Sequence, residues 1–166
     1  MQFLFDRLPS PIGEILLVSD GSKLRALDFW DYEDNMRRLL RLHYGEYSLQ
    51  PAHDPAGLCS LIDRYMNGDL AAIDAIPVAT GGTAFQREVW AALRTIPAGS
   101  TLSYGALAQQ IKRPKAVRAV GMANGANPIS IVVPCHRVIG GSGMLTGYGG
   151  GLERKRWLLR HEGVPV

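Results

Sequence analysis

Residues 83–125 read TAFQREVWAALRTIPAGSTLSYGALAQQIKRPKAVRAVGMANG, and this stretch decides the fold of the second half of the chain. Thr83 and Gln86, three residues apart, form a capping box that predicts a helix start. Helix-breaking residues in Ile96–Gly99 and Lys112–Pro114 then divide the segment into separate helices. The predicted helices cover 84–95, 103–111 and 115–125. Two short helices joined by a tight turn, after a leading helix, are typical of helix-turn-helix architecture.

The last of these helices has an unusual composition for one that reads DNA bases. It consists mostly of Ala, Val and Gly, with Arg118 at its centre. Small side chains allow close approach to a sugar-phosphate wall, which suits the minor groove better than the major groove. From the residues alone, Arg118 has two interpretations: insertion into the base stack, or a phosphate contact or ion pair.

The charge of the chain is distributed unevenly. Residues 1–82 hold seven Lys and Arg against twelve Asp and Glu, a net charge of −5. Residues 83–166 hold eleven Lys and Arg against three Asp and Glu, a net charge of +8. A basic half favours contact with a polyanion, and the alternative is a solvated basic face without a partner.

The first half predicts a small α/β scaffold. Short runs of mixed apolar and polar residues, separated by turn signals, indicate an antiparallel meander. The predicted strands cover 2–8, 13–19 and 23–30, and the predicted helices cover 33–43 and 57–67. A breaker-rich linker follows around 77–82. We therefore expect an α/β domain over 1–79 and a mainly α domain with a winged helix-turn-helix over 80–166.

Composition excludes several classes of protein. Two cysteines, Cys59 and Cys135, rule out a disulfide framework, and without a paired Cys-x-x-Cys we expect no metal site. No run approaches the about 18 apolar residues that span a membrane. The opening residues MQFLFDRLPSP lack the features of a signal peptide, so we expect a cytoplasmic protein without a membrane partner.

Residues 127–139, NPISIVVPCHRVI, hold the candidate chemistry. Residues 131–133 form an apolar, strand-like run before Pro134. Cys135 and His136 follow, and histidine can stabilise a thiolate. Adjacent residues on a strand point to opposite faces, so contact between these two side chains needs a turn or a bridging water.

The context of this cysteine is similar to one known family. Pro134-Cys135-His136-Arg137-Val138 resembles the acceptor motif of the O6-alkylguanine-DNA alkyltransferases, also called methylated-DNA–protein-cysteine methyltransferases. The resemblance covers about residues 82–163. Further matching segments stand at the family's spacing: Ser103-Tyr104, Arg118-Ala119-Val120-Gly121, Asn127-Pro128, Gly147–Gly151 and Trp157–Gly163. The first half fits the family's ribonuclease H-like domain.

The resemblance implies roles for the residues near the cysteine. Cys135 is the nucleophile and accepts an alkyl group from O6 of guanine. His136 takes the thiol proton through water, and Glu162 orients and charge-stabilises that histidine. Asn127 ties together the chain around the acceptor, and Tyr104 donates a hydrogen bond to guanine N3.

The resemblance also implies how DNA is held. Arg118 fills the gap left by an extruded nucleotide, and Ala119 lies beside it on the DNA-binding helix. Tyr148, Gly149 and Val138 form the base pocket. The family often has Ser at position 149, so any hydroxyl contact there is absent. The role of Lys155 and Arg156 has two interpretations, phosphate contacts or solvated charges, and the sequence does not decide between them.

The implied function is stoichiometric repair of double-stranded DNA carrying O6-alkylguanine, with O4-alkylthymine as an additional candidate substrate. No cofactor is expected, and the protein is expected to act as a monomer. Two alternatives remain. One is a Cys-His-Glu thiol hydrolase, which would turn over a thioester or peptide ester. The other is a non-catalytic winged-helix DNA binder, against which the presence of Cys135 argues.

Overall fold

The computed structural model describes residues 1–166. They form two compact units, Met1–Gly82 and Thr83–Val166, which are described separately below. The division into domains at 79 and 80 stays a prediction. None of the helices has the length and apolarity needed to cross a membrane.

The first unit is built on a four-stranded sheet of order β3-β2-β1-β4. Its strands are β1 (Gln2–Leu8), β2 (Ile15–Ser19), β3 (Leu24–Phe29) and β4 (Ser48–Pro51). The predicted antiparallel meander of the first three strands is confirmed. The sheet as a whole is mixed, because β4 pairs with β1 in parallel. This strand is short and ends in proline, so it carries little local strand signal.

Both predicted helices of this unit are present. They are α1 (Glu33–Tyr44) and α2 (Leu58–Met66). Met36 and Leu40 on α1 pack with the buried strand residues Phe3, Leu16 and Val18. Each helix therefore buries an apolar stripe, as its sequence spacing predicts.

The second unit is mainly helical. Its helices are α3 (Ala84–Leu93), α4 (Tyr104–Gln110), α5 (Val117–Gly125) and α6 (Leu152–His161). The predicted capping box is formed in full between Thr83 and Gln86. α5 packs against both α3 and α4, which confirms the helix-turn-helix arrangement. α5 begins two residues later than predicted, because Lys115 and Ala116 complete the turn after Pro114.

A two-stranded parallel ladder joins distant parts of this unit. β5 (Leu102–Ser103) pairs with β6 (Val138–Ile139). Ser103 then caps α4 by accepting a hydrogen bond from the Ala106 amide at 3.0 Å. The ladder thus brings the start of α4 next to the segment that follows the Pro-Cys-His-Arg motif.

The prediction of a strand-like run at residues 131–133 is wrong. These residues lie in a turn, and Ile131 has a positive φ of 73°. The amide of Val133 donates to the carbonyl of Ile129 at 3.0 Å, so local hydrogen bonds replace strand pairing. The apolar, β-branched composition of this segment predicts burial, and Ile131 is fully buried. The composition does not determine the backbone conformation.

Candidate active site

Asn127 holds the turn that leads to the cysteine. Its side-chain amide donates to the carbonyl of Val133 at 2.7 Å, and its oxygen accepts from the amide of Ile129 at 2.9 Å. A β-branched residue in the left-handed region, such as Ile131, costs about 1–2 kcal/mol. The two Asn127 hydrogen bonds and the burial of Ile131 offset that cost and fix the turn.

Cys135 begins a single 3-10 turn, Cys135–Arg137, directly after Pro134. The sequence predicts that the side chains of Cys135 and His136 can reach one site only through a turn or a bridging water, and a turn is present here. The carbonyl of Cys135 accepts a long hydrogen bond, 3.5 Å, from the side-chain amide of Asn124 on α5. Cys135 itself is buried, and it lines a small cavity.

His136 and Glu162 form a fully buried pair. His136 Nε2 lies 2.9 Å from Glu162 Oε2, and both side chains are inaccessible to solvent. Arg137 completes the cluster: its Nε and Nη2 atoms donate to the two Glu162 oxygens at 2.9 and 2.8 Å, and its Nη1 donates to the carbonyl of Ile96. One carboxylate therefore receives the histidine and a bidentate guanidinium.

Burial and charge set the protonation of this cluster. Burial raises the pKa of Glu162, but hydrogen bonds from His136 and Arg137 outweigh it and hold the pKa well below its usual range. Burial lowers the pKa of His136, and the Glu162 carboxylate only partly opposes this. Glu162 is therefore ionised and His136 neutral near pH 7. A neutral imidazole bound to Glu162 through Nε2 presents Nδ1 as an acceptor, and this atom is buried without a hydrogen bond to any protein atom.

Lys155 is neither solvated nor available to phosphate, so both alternatives left open for it are wrong. Its side chain is fully buried. Its Nζ donates to the carbonyls of Val138 and Thr146 at 2.6 Å, and to that of Gly147 at 3.4 Å. Burial lowers its pKa to about 8, and the charge of Cys135 opposes that shift. Lys155 therefore ties the segment after the cysteine to α6 and brings a positive charge near the thiol.

The cavity beside Cys135 has a volume of about 190 Å³. Four of the predicted site residues line it together: Tyr104, Cys135, Tyr148 and Gly149. Asn124, Gly121, Gly125 and Gly147 complete its lining. The Tyr104 hydroxyl lies 3.3 Å from that of Thr146. Val138 is fully buried in β6 and is not among the lining residues.

The predicted DNA-contact residues lie on the open side of α5. Arg118 and Ala119 are both exposed. Arg118 takes part in none of the ion pairs of the protein, unlike Arg113, which pairs with Glu88 at 3.2 Å. Of the interpretations given to Arg118 from the sequence, an internal ion pair is therefore excluded.

The second cysteine has a different environment. Cys59 is buried on α2, and burial together with a hydrogen bond to Asp6 raises the pKa of its thiol far above its usual range. It is therefore a neutral and unreactive thiol at physiological pH. No group of three or more His, Cys, Asp or Glu side chains is arranged to hold a metal ion.

Sequence reasoning assigned no role to three residues of the site: Asn124, Arg137 and Lys155. A signal existed for the lysine, because Lys155, Leu158 and Leu159 share the apolar face of α6. A charged residue on such a face is buried only with partners. Arg137 lay within the acceptor motif, but its carboxylate partner is 25 residues away in the sequence.

An α/β unit is followed by a helix-turn-helix unit, an element typical of DNA-binding proteins. This second unit contains a buried cysteine next to the histidine of a His-Glu pair, which is the arrangement of an activated thiol. Residues 5–80 match the family description "6-O-methylguanine DNA methyltransferase, ribonuclease-like domain". Residues 84–164 match "6-O-methylguanine DNA methyltransferase, DNA binding domain". The chain therefore belongs to the 6-O-methylguanine DNA methyltransferase family.

Similar proteins support this assignment over the whole chain. A methylated-DNA–protein-cysteine methyltransferase of Salmonella typhimurium is 54% identical, over 98% of this chain and 97% of its own. The crystal structure of Mycobacterium tuberculosis O6-methylguanine methyltransferase has a TM-score of 0.80 at 43% identity, covering 96% of this chain and 92% of that one. The structure of M. tuberculosis OGT in complex with DNA has a TM-score of 0.74 at 41% identity, covering 98% and 92%.

Proposed function

We propose that this protein repairs DNA by transferring the alkyl group of O6-alkylguanine to its own Cys135. The observation that carries the proposal is the position of Cys135. It lines a cavity with Tyr104 and Tyr148, and it directly precedes the buried histidine of a His-Glu pair. The family to which the chain belongs, and the DNA-bound relative of similar fold, support DNA as the partner.

Activation of the thiol follows from the protonation of the cluster. Neutral His136 accepts the Cys135 proton at Nδ1 through one bridging water, and the resulting imidazolium is stabilised by Glu162 at 2.9 Å. Glu162 stays ionised because Arg137 holds both of its oxygens. The Lys155 ammonium favours the thiolate that remains.

The transfer step is an in-line displacement at the alkyl carbon. A lone pair of the Cys135 thiolate forms the new S–C bond while the C–O6 bond breaks, and its electron pair stays on the guanine. Tyr104, which lines the same cavity as Cys135, donates a hydrogen bond to N3 and stabilises the departing purine. The product thioether is a very poor leaving group, so each protein molecule reacts once.

The target oxygen lies inside a stacked duplex, so the nucleotide has to leave the stack before it can enter the cavity. Unstacking costs a few kcal/mol, which contacts from the basic half of the chain to phosphates offset. Arg118, exposed on α5 and without an ion-pair partner, fills the gap in the stack.

Replacement of Arg118 tests this role. We expect Arg118→Ala to slow repair of O6-methylguanine in duplex DNA by about 10- to 100-fold, because no side chain then fills the gap that the extruded nucleotide leaves in the base stack. Reaction with free O6-methylguanine base should be almost unchanged. Lys115→Ala, which removes a neighbouring exposed charge, is the control and should weaken DNA binding without this contrast. An equal loss of both reactions in Arg118→Ala would assign Arg118 to the pocket instead.

Intact-protein mass spectrometry after mixing with O6-methylguanine DNA separates the proposed function from its alternatives. One methyl group per protein molecule, without turnover, is the expected result. Repeated turnover on a thioester or peptide ester would identify a thiol hydrolase. Binding of alkylated DNA without mass change would identify a non-catalytic binder.

The methylated protein should be less stable than the free protein. The added methyl group extends a buried side chain, and where it meets the wall of the small cavity instead of its open space, overpacking costs about 1–3 kcal/mol. Loss of the thiolate also removes its interaction with the Lys155 charge. At about 2–4 °C per kcal/mol for a chain of this size, Tm should fall by several degrees. Paired thermal melts of the two forms measure this, and an equal or higher Tm after methylation would show that the site accepts the methyl group without strain.

A further inference from the structure

Met122 is the most exposed of the large apolar side chains of the protein, with 73% of its surface accessible to solvent. It lies on α5, and the mechanism above gives it no role. A single exposed methionine does not by itself indicate a partner, so the position of Met122 decides what it can do.

Met122 shares one face of α5 with the residues that we propose to contact DNA. It follows Arg118 by four residues and Ala119 by three, so the three side chains project from the same side of the helix. All three are exposed. The opposite side of α5 carries Val120 and Asn124, which are buried in the protein. A surface that contacts Arg118 and Ala119 together therefore also meets Met122.

The chemistry of Met122 differs from that of Arg118. A thioether has no charge and donates no hydrogen bond, so it cannot hold a phosphate. The walls of the minor groove offer an apolar surface in their deoxyribose rings, which every nucleotide presents alike. Proteins of the minor groove place apolar side chains, methionine among them, beside their basic residues. An unbranched methionine also adapts its shape to the sequence-dependent width of the groove.

We propose that Met122 packs against the deoxyribose wall of the minor groove beside the gap that Arg118 fills, and is a positioning residue for the extruded nucleotide. This inference rests on the proposed function. Met122 loses its contact with water only when α5 is fully seated in the groove, so its burial favours the complex in which Arg118 can enter the stack. The contact adds binding free energy that depends neither on salt nor on the base sequence.

The experiment measures the second-order rate constant of methyl transfer from O6-methylguanine in a duplex and from the free base. Met122→Ala should react with the duplex about five- to tenfold more slowly than the wild type, and with the free base at the wild-type rate. Met122→Gln, which is similar in length but polar, should show the same loss. Met122→Leu, which stays apolar, should keep most of the duplex rate. Leu42→Ala removes a similarly exposed apolar side chain from α1 and is the control that should match the wild type.

The salt dependence of the duplex reaction distinguishes this contact from phosphate binding. The slope of the logarithm of the rate constant against the logarithm of salt concentration should be the same in Met122→Ala and in the wild type. Lys115→Ala should reduce the magnitude of this slope by about 0.9, because it removes one phosphate contact.

Several results would overturn the inference. Met122→Ala might react with the duplex as fast as the wild type, or Met122→Gln might keep the full duplex rate, which would exclude an apolar contact. An equal loss on the free base would assign Met122 to the fold or the pocket, and an equal loss in Leu42→Ala would show that the effect is not specific to α5. A wild-type protein that accepts no methyl group from either substrate would instead refute the proposed function.

Discussion

Cys135→Ala should abolish methyl transfer entirely, because no other thiol in the chain can replace it. Cys59, the second cysteine, has a pKa raised by burial and by Asp6, so its thiolate is scarce at neutral pH. Mass spectrometry after incubation with O6-methylguanine DNA should show one added methyl group on the wild type and none on the variant. Peptide mapping should locate that group at Cys135.

Cys59→Ala is the matched control, since it removes the other buried thiol and should leave the stoichiometry of transfer at one. The Cys135→Ala protein should still bind DNA, with an affinity that falls steeply as salt rises. Methyl transfer that persists in Cys135→Ala, or that maps to Cys59, would refute the assignment of the nucleophile.

Glu162→Gln should damage both stability and rate. The glutamine keeps the shape of the carboxylate but leaves Arg137, 2% exposed, without its counter-charge. Breaking a buried ion pair in this way typically costs about 3–5 kcal/mol. The loss of charge also lowers the pKa of His136 further, so the histidine becomes a weaker base and transfer should slow by about 100-fold. Denaturant unfolding and single-turnover kinetics measure the two effects.

The pH dependence of stability follows from the lowered pKa of Glu162. The pKa of Glu162 is lowered in the folded protein, so its stabilising contribution is fully present above about pH 4.3, its unfolded value. It is lost as pH falls through the folded pKa. Glu162→Gln should remove this acid dependence, while Glu153→Gln, an exposed change on α6, should not. An unchanged pH profile of both stability and Cys135 reactivity in Glu162→Gln would contradict the proposed relay.

The parts of the fold with strong local signals could be predicted from the sequence. The capping box at Thr83 started α3 as expected, and the apolar stripe of α2 is buried. The parallel pairing of β4 with β1 could not be predicted, because it joins residues more than forty positions apart through backbone hydrogen bonds. The turn at residues 131–133 was missed for a related reason: side-chain hydrogen bonds of Asn127 override the β-propensity of Ile and Val.

The site residues could be predicted where they belong to short sequence motifs. The proximity of His136 and Glu162, expected from the family resemblance, is present in the structure at 2.9 Å. The buried positions of Arg137 and Lys155 were not predictable from composition, which favours exposure for both residue types. Their burial depends on partners that only the tertiary fold brings close, a carboxylate for Arg137 and backbone carbonyls for Lys155.

Lys155 and Glu162 are seven residues apart, two helical turns, and therefore lie on the same face of α6 and its C-cap. Lys155 binds the carbonyl of Gly147 in the wall of the pocket, and Glu162 binds His136, the histidine that we propose as the base. The shape of the pocket wall and the basicity of the histidine therefore depend on the same helix, so a substitution that displaces α6 should impair both together.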